Sequence, residues 1–507
     1  MKNLFKLLFK RVVIVSLLLL GQVGIFYLFL SRFVEYFPWY NAFATMLALA
    51  LAFYIVSTRG DPAYKIAWII PVLIAPLFGA MLYLMLGNAP HPRRYNRNVR
   101  RITRMMELNL KQDRNIIDRL SLENSTAATQ AHYLSTNASC PVYVNTATEY
   151  FPSGESCYEH MLEDMRRAKR YIYLEYFIIQ PGEMWDGMLE ILKEKAAQGV
   201  DVRVIYDDFG CITKLPYRYF EKLQRLGIRC RAFNPFIPII SPHLNNRDHR
   251  KFLIIDGSVG YTGGVNLSDE YINRTHPYGY WKDCVLRMDG DAVWSMTIMF
   301  LSMWDTIRKG PPHDLLPPAA ELHEERGYVQ PFTDCPLDNE YVSETVFLNM
   351  IARAQKSVYI MTPYLILNST MRSVLCVAAK SGIDVRIITP GIPDKKYVFS
   401  VTRANYRELL EAGVRIYEFT PGFIHSKVIC VDMECAVVGT INMDFRSLYL
   451  HFEDGVFLYN TNSVQQVSDD FADTLPHCHE VTLREYRERS FRVRLIETVL
   501  RVFAPMM

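Results

Sequence analysis

Three long apolar runs open the chain. Residues 12–30, 37–57 and 66–86 contain no charged side chain. Each run has about the length that a helix needs to cross roughly 30 Å of hydrocarbon, and a helix satisfies the backbone hydrogen bonds that lipid cannot. The pattern therefore predicts a membrane anchor of two or three transmembrane helices within residues 1–90.

Basic residues flank these runs on both sides. The first run follows Lys2, Lys6, Lys10 and Arg11, and the third precedes Arg93, Arg94, Arg97, Arg100, Arg101 and Arg104. Such clusters mark the cytoplasmic side, and the second could also contact anionic headgroups. Three full crossings cannot put both clusters on one side, so either one run fails to span or one basic end lies outside. Pro71 and Pro76 make the third run the candidate for a kinked or re-entrant element, and we expect a multi-pass cell-membrane protein with its remaining chain on the cytoplasmic face.

From about residue 141 the apolar runs shorten and alternate with helical patterns, which predicts mixed α/β structure. This part of the chain repeats itself. AAQGVDVRVI at 196–205 matches AAKSGIDVRII at 378–388, and LQRLGIRCRAFNP at 223–235 matches LLEAGVRIYEFTP at 409–421. Two copies of one α/β unit, each a mixed or mostly parallel sheet covered by helices, explain both matches.

The composition shifts predict six segments. They are a membrane anchor (1–90), a basic juxtamembrane linker (91–140), a first sheet domain (141–310), a linker rich in proline and acidic residues (311–340), a second sheet domain (341–475) and an amphipathic helical tail (476–507). The tail has arginines among apolar residues, so it could lie on a membrane surface. A helix packed on the preceding domain with a solvated basic face fits the pattern equally well.

Charge and cysteine content exclude several classes of function. The formal net charge is only +3, whereas a nucleic-acid enzyme should have a strongly basic soluble region. The ten cysteines are scattered singly, apart from Cys430 and Cys435. This pattern favours free thiols in a reducing compartment, and it offers no convincing zinc-ligand spacing.

The candidate chemistry lies in a motif that occurs once in each copy. The pattern HxKx4Dx6G[GT]xN contributes His249, Lys251, Asp256 and Asn266 from the first copy, and His425, Lys427, Asp432 and Asn442 from the second. One occurrence would be a modest hint. Two occurrences with identical spacing, at matching positions of a repeat, indicate one composite site.

Strand geometry assigns different directions to the motif residues. Residues two apart on a strand point to the same face, so each histidine projects together with its lysine. Each aspartate follows at an odd number of positions and points to the other face if the strand continues. We therefore expect Asp256 and Asp432, although they belong to the catalytic motif, to support the turn rather than to touch substrate.

These residue types favour phosphodiester chemistry. Lys251, Lys427 and the amides of Asn266 and Asn442 would bind the non-bridging oxygens and stabilise the transition-state charge. One of the two motif histidines would attack phosphorus, while the other would protonate the leaving alkoxide and then activate the incoming alcohol. Lysine is a poor metal ligand and no carboxylates join the histidines in the motif, so we expect no metal.

A nucleophilic imidazole is held in one tautomer, usually by a carboxylate. Asp283 and Glu453 are the candidates, because they follow the histidines of their respective copies by similar intervals. An ordinary surface carboxylate is the alternative for each.

The doubled motif resembles that of the phospholipase D superfamily, and the sequence around it resembles bacterial-type cardiolipin synthases. The matching segments are NRDHRK at 246–251, TGGVN at 262–266, YWKD at 280–283, NMDFRS at 442–447 and FAP at 503–505. The resemblance covers nearly the whole chain. It implies two pseudo-symmetric phospholipase D-like mixed-sheet domains flanked by helices and preceded by transmembrane helices. Asp248, Lys282 and Thr440 depart from the usual asparagine, arginine and glycine.

The resemblance implies that two phosphatidylglycerols become cardiolipin and glycerol through a phosphohistidine, without a metal or nucleotide cofactor. It suggests His249 as the nucleophile and His425 as acid and base, but the near symmetry leaves that order open. The partners expected are phospholipids and the membrane, with no nucleic acid, and the oligomeric state is not predicted. The alternatives are a phospholipid hydrolase of the same superfamily, a membrane-bound phosphodiesterase or nuclease, and a scaffold with a decayed site.

Overall fold

A computed structural model describes residues 20–28, 38–58, 61–87, 93–235, 245–307, 317–318, 322–323, 325–338 and 340–504 of the chain. Most of the first apolar run, the basic N-terminus and the last three residues lie outside the described residues. Every statement below refers to the described part.

The N-terminal part is helical. It contains α1 (Pro38–Ser57), α2 (Pro62–Ile74) and α3 (Pro76–Leu86). The third apolar run is therefore two helices, which meet at Ala75, and Pro71 lies inside α2. The rings of Trp68 and Tyr83 lie 5.5 Å apart, whereas about four turns of continuous helix would separate them. The chain thus folds back on itself, and none of the described helices is long and apolar enough to span a bilayer.

Three helices lie in the segment expected to be a basic linker. They are α4 (Arg93–Asn109), α5 (Arg114–Glu123) and α6 (Ser125–Asn137). Ile102, Met106 and Leu110 are spaced one helical turn apart and lie buried in the main core. This periodicity buries one face of α4, whereas Arg100 and Arg104, two of the arginines that suggested a solvated segment, are exposed.

The first copy forms a seven-stranded mixed sheet. Its elements are β1 (Thr146–Phe151), α7 (Gly154–Arg167), β2 (Tyr171–Tyr176), α8 (Glu183–Ala197), β3 (Asp201–Asp207), α9 (Tyr219–Arg225), β4 (Arg229–Phe233), β5 (Arg247–Asp248), β6 (Phe252–Ile255), β7 (Val259–Gly263), β8 (Tyr280–Lys282), β9 (Val285–Gly290) and α10 (Val293–Ile307). The strand order is β1-β9-β7-β6-β2-β3-β4. Strands β2, β3 and β4 are parallel to one another, and every other neighbouring pair, including β2 with β6, is antiparallel.

The second copy repeats this plan. Its elements are β10 (Tyr328–Asp334), α11 (Val342–Ala352), β11 (Ser357–Met361), α12 (Ser369–Lys380), β12 (Asp384–Pro390), α13 (Lys396–Ala412), β13 (Arg415–Phe419), β14 (Gly422–Ile424), β15 (Val428–Val431), β16 (Cys435–Gly439), α14 (Phe445–Tyr449), β17 (His451–Tyr459), α15 (Asn462–Thr474), β18 (Cys478–Val481), α16 (Leu483–Glu488) and α17 (Phe491–Phe503). The order β10-β17-β16-β15-β11-β12-β13-β18 matches that of the first sheet, with β18 added at the edge.

Two strands lie in segments that were predicted to be a linker and a helical tail. The segment expected to link the copies contains β10, which is the counterpart of β1 and buries Tyr328, Val329 and Phe332. The segment expected to be a helical tail begins with β18, which pairs with β13. Short edge strands flanked by charged residues leave little periodic signal in a sequence, so only the pairing reveals them.

Two short strand pairs join the copies. Strand β5 of the first copy runs parallel to the start of β17, with Arg247 opposite His451. Strand β14 of the second copy runs parallel to β8, with Ile424 opposite Lys282. Both pairs lie directly before motif histidines, so the candidate site forms at the junction of the two domains.

Candidate active site

The two strand pairs between the copies position the motif histidines. Strand β5 ends one residue before His249, whose backbone N–H donates to the carbonyl of Phe452 at 2.9 Å. Strand β14 ends one residue before His425, whose N–H donates to the carbonyl of Lys282 at 2.6 Å. Each histidine is thus fixed to a strand of the other copy.

The carboxylates that orient the histidines are exchanged between copies. Nδ1 of His249 lies 2.9 Å from Oε2 of Glu453, and Nδ1 of His425 lies 2.7 Å from Oδ2 of Asp283. Both carboxylates are fully buried. Because Nδ1–H donates to the carboxylate, the lone pair of each imidazole is on Nε2, as a nucleophile or general base requires.

Gly264 and Thr440 occupy the same position in the two motifs, and their contacts explain why the second copy has threonine in place of the usual glycine. A Cβ atom on Gly264 would lie 1.9 Å from Oδ1 of Asp283 and 2.9 Å from the carbonyl oxygen of His425. Only glycine fits there. At the matching position, the hydroxyl of Thr440 donates to Oε2 of Glu453 at 2.5 Å, so threonine supports the carboxylate that orients His249.

The motif lysines are buried beside the histidines. Nζ of Lys251 donates to the carbonyl of His249 at 2.6 Å, and Nζ of Lys427 donates to the carbonyl of His425. Burial lowers the pKa of Lys251 to about 8 and the pKa of Lys427 to about 7. Two ammonium groups held out of water create a site that an anion would stabilise.

The same environment keeps the imidazoles neutral. Burial lowers the pKa of His249 well below its usual range, with Lys251 and Lys427 adding to the effect. Burial and Lys427 lower the pKa of His425 to about 4, against the opposing charge of Asp283. Burial alone would raise the pKa of Asp283, but His425 and Lys427 outweigh it and the net direction is downward.

The two motif asparagines have different surroundings. Oδ1 of Asn266 accepts from the N–H of Ile178 at 3.0 Å, and its Nδ2 donates to the hydroxyl of Tyr271 at 2.7 Å. Asn442 is also buried, but its Oδ1 has no hydrogen-bond partner among the described residues. Asn266 therefore has a clear structural task, while the amide of Asn442 is the better placed to meet a ligand.

The motif aspartates lie away from the histidines. Asp256 accepts hydrogen bonds from three consecutive backbone N–H groups, those of residues 169–171, at 2.7 to 2.9 Å. Asp432 does the same for residues 355–357 at 2.7 to 2.8 Å. Both have positive φ, at 54° and 56°. Each stabilises a turn and the start of the neighbouring strand, a placement at odds with a catalytic role.

The other two departures from the family pattern also lie in structural ion pairs. Oδ1 of Asp248 accepts from Nε of Arg250 at 3.2 Å, which compensates its buried charge. Nζ of Lys282 donates to Asp470 at 2.7 Å and to the carbonyl of Pro152 at 2.6 Å. Neither departure removes a group that faces the histidines.

A third histidine, His451, lies in the site and was not predicted from the sequence. The ring of His451 lies 5.6 Å from that of His249, and burial lowers its pKa to about 3. The ring of Phe177 lies 5.1 Å from His249, and Trp281 lies 5.4 Å from His425. His451 lies two residues before Glu453, a candidate carboxylate, and this was the only signal in the sequence that His451 could belong to the site.

His451 also raises the question of a metal. Donor atoms of His249, His451 and Glu453 lie within 4.8 Å of one another. Glu453 is already engaged by His249 and Thr440, however, and Nε of Arg446 lies 3.4 Å from Nε2 of His451. With Lys251 and Lys427 nearby, this cationic environment favours an anion over a divalent cation.

Two family models match the sequence of this chain. The family described as "Cardiolipin synthase, PLD-like domain" matches residues 161–279 and 347–475, one range in each copy. The family described as "Phospholipase_D-nuclease N-terminal" matches residues 46–88. The first range of the cardiolipin synthase family model contains His249 and Lys251, and the second contains His425 and Lys427.

Individual relatives extend the match to nearly the whole chain. A protein of Halalkalibacterium halodurans named cardiolipin synthase is 34% identical over 480 residues, covering 92% of this chain and 94% of its own. The cardiolipin synthase of Geobacillus thermodenitrificans is 35% identical over 462 residues, covering 90% and 91%. Among solved structures, a phosphatidylserine synthase of Haemophilus influenzae has a TM-score of 0.54 at 17% identity, covering 76% of this chain and 98% of its own. That likeness shows the fold alone.

Proposed function

Because the chain belongs to the family of cardiolipin synthases with phospholipase D-like domains, we propose that it transfers the phosphatidyl group of one phosphatidylglycerol to a second. The products are cardiolipin and free glycerol. It is a phosphatidyltransferase that acts on phospholipids and associates with the membrane. The observation that carries this proposal is the pair of buried imidazoles, each held through Nδ1 by a carboxylate of the other copy, beside two buried lysines.

The first half-reaction forms a covalent intermediate. Nε2 of His249 attacks phosphorus of the donor lipid, so a P–N bond forms and the P–O bond to the headgroup glycerol breaks. His425 supplies the proton that the leaving alkoxide needs. An anionic substrate offsets the charge of the two lysines, so its binding raises the pKa of His425 toward the value that an acid requires.

The second half-reaction reverses these roles. His425, now neutral, takes the proton of a headgroup hydroxyl on the second phosphatidylglycerol. That oxygen attacks phosphorus, the P–N bond breaks, and His249 returns to its starting state. Lys251, Lys427 and the amide of Asn442 stabilise the charge on the non-bridging oxygens in both steps. Asn266 would act indirectly, by holding Tyr271 against His425, since those two rings lie 5.5 Å apart.

The assignment of the nucleophile follows the family resemblance, because the two half-sites are nearly symmetrical. The experiment that tests it is alkaline quenching of the enzyme during turnover, followed by peptide mass spectrometry. A phosphatidyl or phosphoryl adduct on His249 supports the assignment. The same adduct on His425 instead would exchange the two roles.

The overall reaction is tested with the purified full-length chain and phosphatidylglycerol liposomes, without metal or CTP. Cardiolipin and an equal amount of glycerol are expected by mass spectrometry. Phosphatidic acid in place of cardiolipin would make the protein a hydrolase. His249→Ala and His425→Ala should each abolish turnover, whereas His132→Ala, which removes an exposed histidine of α6, serves as the matched control and should retain it.

We also propose that the N-terminal region anchors the chain as a multi-pass element, with the two sheet domains on the cytoplasmic face. The apolar run at 12–30 and the arginines that follow the third run support this orientation. Protease treatment of sealed inside-out vesicles tests it. Digestion of the sheet domains is expected there, and protection would place those domains on the other side.

A further inference from the structure

The C-terminal helix α17 exposes an apolar face and buries a charged residue, the reverse of an ordinary surface helix. Its acidic residue Glu497 is buried, at 3% exposure, and accepts two hydrogen bonds from Arg489 at 2.6 and 2.8 Å. Arg501 on the same side of the helix donates to Glu408 of α13 at 2.7 Å. The Arg501–Glu408 pair joins the helix to α13, while the Arg489–Glu497 pair joins it to the segment that directly precedes it.

Five apolar residues of α17 share an outward face, and a sixth, Val493, is exposed outside that face. The five are Phe491, Leu495, Ile496, Val499 and Val502. Phe491 is 70% exposed, and the others are between 37% and 56% exposed. Their spacing places them on one face of a helix. A contiguous apolar face of this kind marks an interaction surface, since water alone does not stabilise it.

The outward face adjoins other exposed apolar helices. Leu500 of α17 and Ala504, which directly follows the helix, share an apolar cluster with Tyr64 of α2. Helix α2 in turn exposes Ile66, and Ile74 at 78%. Helix α17 thus lies beside α2, in the part of the chain that matches the N-terminal family model, and both helices expose apolar side chains.

Charge indicates which partner fits this surface. Arg492 and Arg494 of α17 are exposed, and so are Arg484 and Arg487 of α16. Basic residues beside an exposed apolar helical face are the arrangement that binds the interface of a bilayer containing anionic lipid. A soluble protein partner would not account for the exposed apolar side chains of the neighbouring helix α2.

The same helix is linked to the catalytic pocket. The cluster that receives Ala504 and Leu500 also contains Tyr364. The ring of Tyr364 lies 6.5 Å from Phe423, and Phe423 lies 5.8 Å from His425. A contact made by α17 with a bilayer would therefore fix the position of the pocket relative to the lipid surface.

We propose that the outward face of α17 docks on a bilayer rich in anionic lipid and, together with α2, holds the catalytic pocket at the lipid headgroups. The proposal requires that the chain works at a membrane, as the proposed function does, but it does not depend on which phosphodiester is exchanged. It assigns a lipid-binding role to the C-terminal helix in addition to the N-terminal anchor.

The test is photo-crosslinking of the full-length chain in liposomes of phosphatidylglycerol and phosphatidylcholine. A benzophenone amino acid replaces Leu495, and the matched control carries it in place of Leu122, a leucine of α5 that is 90% exposed. We expect a lipid adduct at position 495 and none at position 122. A crosslink between two copies of the chain would overturn the proposal in favour of self-association. A crosslink to residues 1–37 of the same chain, or no crosslink at all, would overturn it as well.

A second measurement separates this proposal from the reaction. The crosslink at position 495 should persist when His249→Ala removes turnover, because docking needs no chemistry. The double variant Leu495→Glu and Val499→Glu should raise KM, expressed as lipid surface concentration, by about tenfold while kcat stays unchanged. The single variant Leu122→Glu should change neither. A fall in kcat with unchanged KM in the double variant would contradict docking as the role of this face.

Discussion

Nδ1 of His425 lies 2.7 Å from Oδ2 of Asp283, a carboxylate that the other copy of the repeat contributes. The matching contact between His249 and Glu453 crosses in the opposite direction. Neither copy alone contains an oriented imidazole. The duplication therefore supplies more than a second histidine, since each copy also completes the half-site of the other.

The first prediction concerns this crossed contact. Asp283→Asn keeps the shape of the side chain but no longer fixes the tautomer of His425. We expect kcat to fall by about a thousandfold or more, with little change in KM. Steady-state kinetics on phosphatidylglycerol liposomes measures this. Asp473→Asn, which changes an exposed aspartate of α15, is the control, and equal kinetics in the two variants would contradict the role assigned to Asp283.

The second prediction concerns Gly264, which packs against Asp283, and Thr440, which donates to Glu453. Gly264→Ala places a Cβ against Asp283, so we expect loss of nearly all activity. Thr440→Gly removes one hydrogen bond to Glu453, which is worth about 1.5–3 kcal/mol when the acceptor is charged. Its kcat should fall by about tenfold to a hundredfold, and Thr440→Ser should restore most of the rate. A Gly264→Ala enzyme with wild-type kinetics would contradict the geometry around Asp283.

The third prediction separates structure from catalysis within the motif. Asp256→Asn and Asp432→Asn each weaken three hydrogen bonds to backbone N–H groups. We expect a lower free energy of unfolding, by about 1–3 kcal/mol for each variant, and a nearly normal kcat for each folded molecule. Thermal unfolding in detergent and activity corrected for the folded fraction measure the two effects. A large fall in kcat without loss of stability would contradict the structural role and indicate that these aspartates act in catalysis.

The fourth prediction is a dependence on pH. Burial lowers the pKa of Lys427 to about 7 and that of Lys251 to about 8, so both lysines lose their charge as the pH rises through this range. The free enzyme then binds the phosphodiester anion less well, and kcat/KM should fall above pH 7 to 8. Lys427→Arg, whose guanidinium remains charged, should move this fall to higher pH even if its maximal rate is lower. An alkaline limb that does not move would assign the titration to another group.

Much of this arrangement could be predicted from the sequence, because it depends on local spacing. Each histidine lies two residues before its lysine. Asp256 and Asp432 directly follow the ends of β6 and β15, so the turns with positive φ, rather than the odd offset, determine where these side chains lie. The repeat itself was visible as matched helix and strand patterns. The apolar residues of α4 also had helical spacing, but the arginines on its other face led to the prediction of a linker.

The sequence by itself determined which residue types meet at the site, since two identical motifs in two matching units require one composite phosphodiester site. Only the tertiary structure decided how they pair. His249 contacts a carboxylate 204 residues away, and His425 one 142 residues away, separations at which periodicity holds no information. The same is true of His451 beside His249, of the fold-back at Ala75 and of the face that α17 turns outward. In each case a contact between distant segments, rather than a local preference, selects the arrangement.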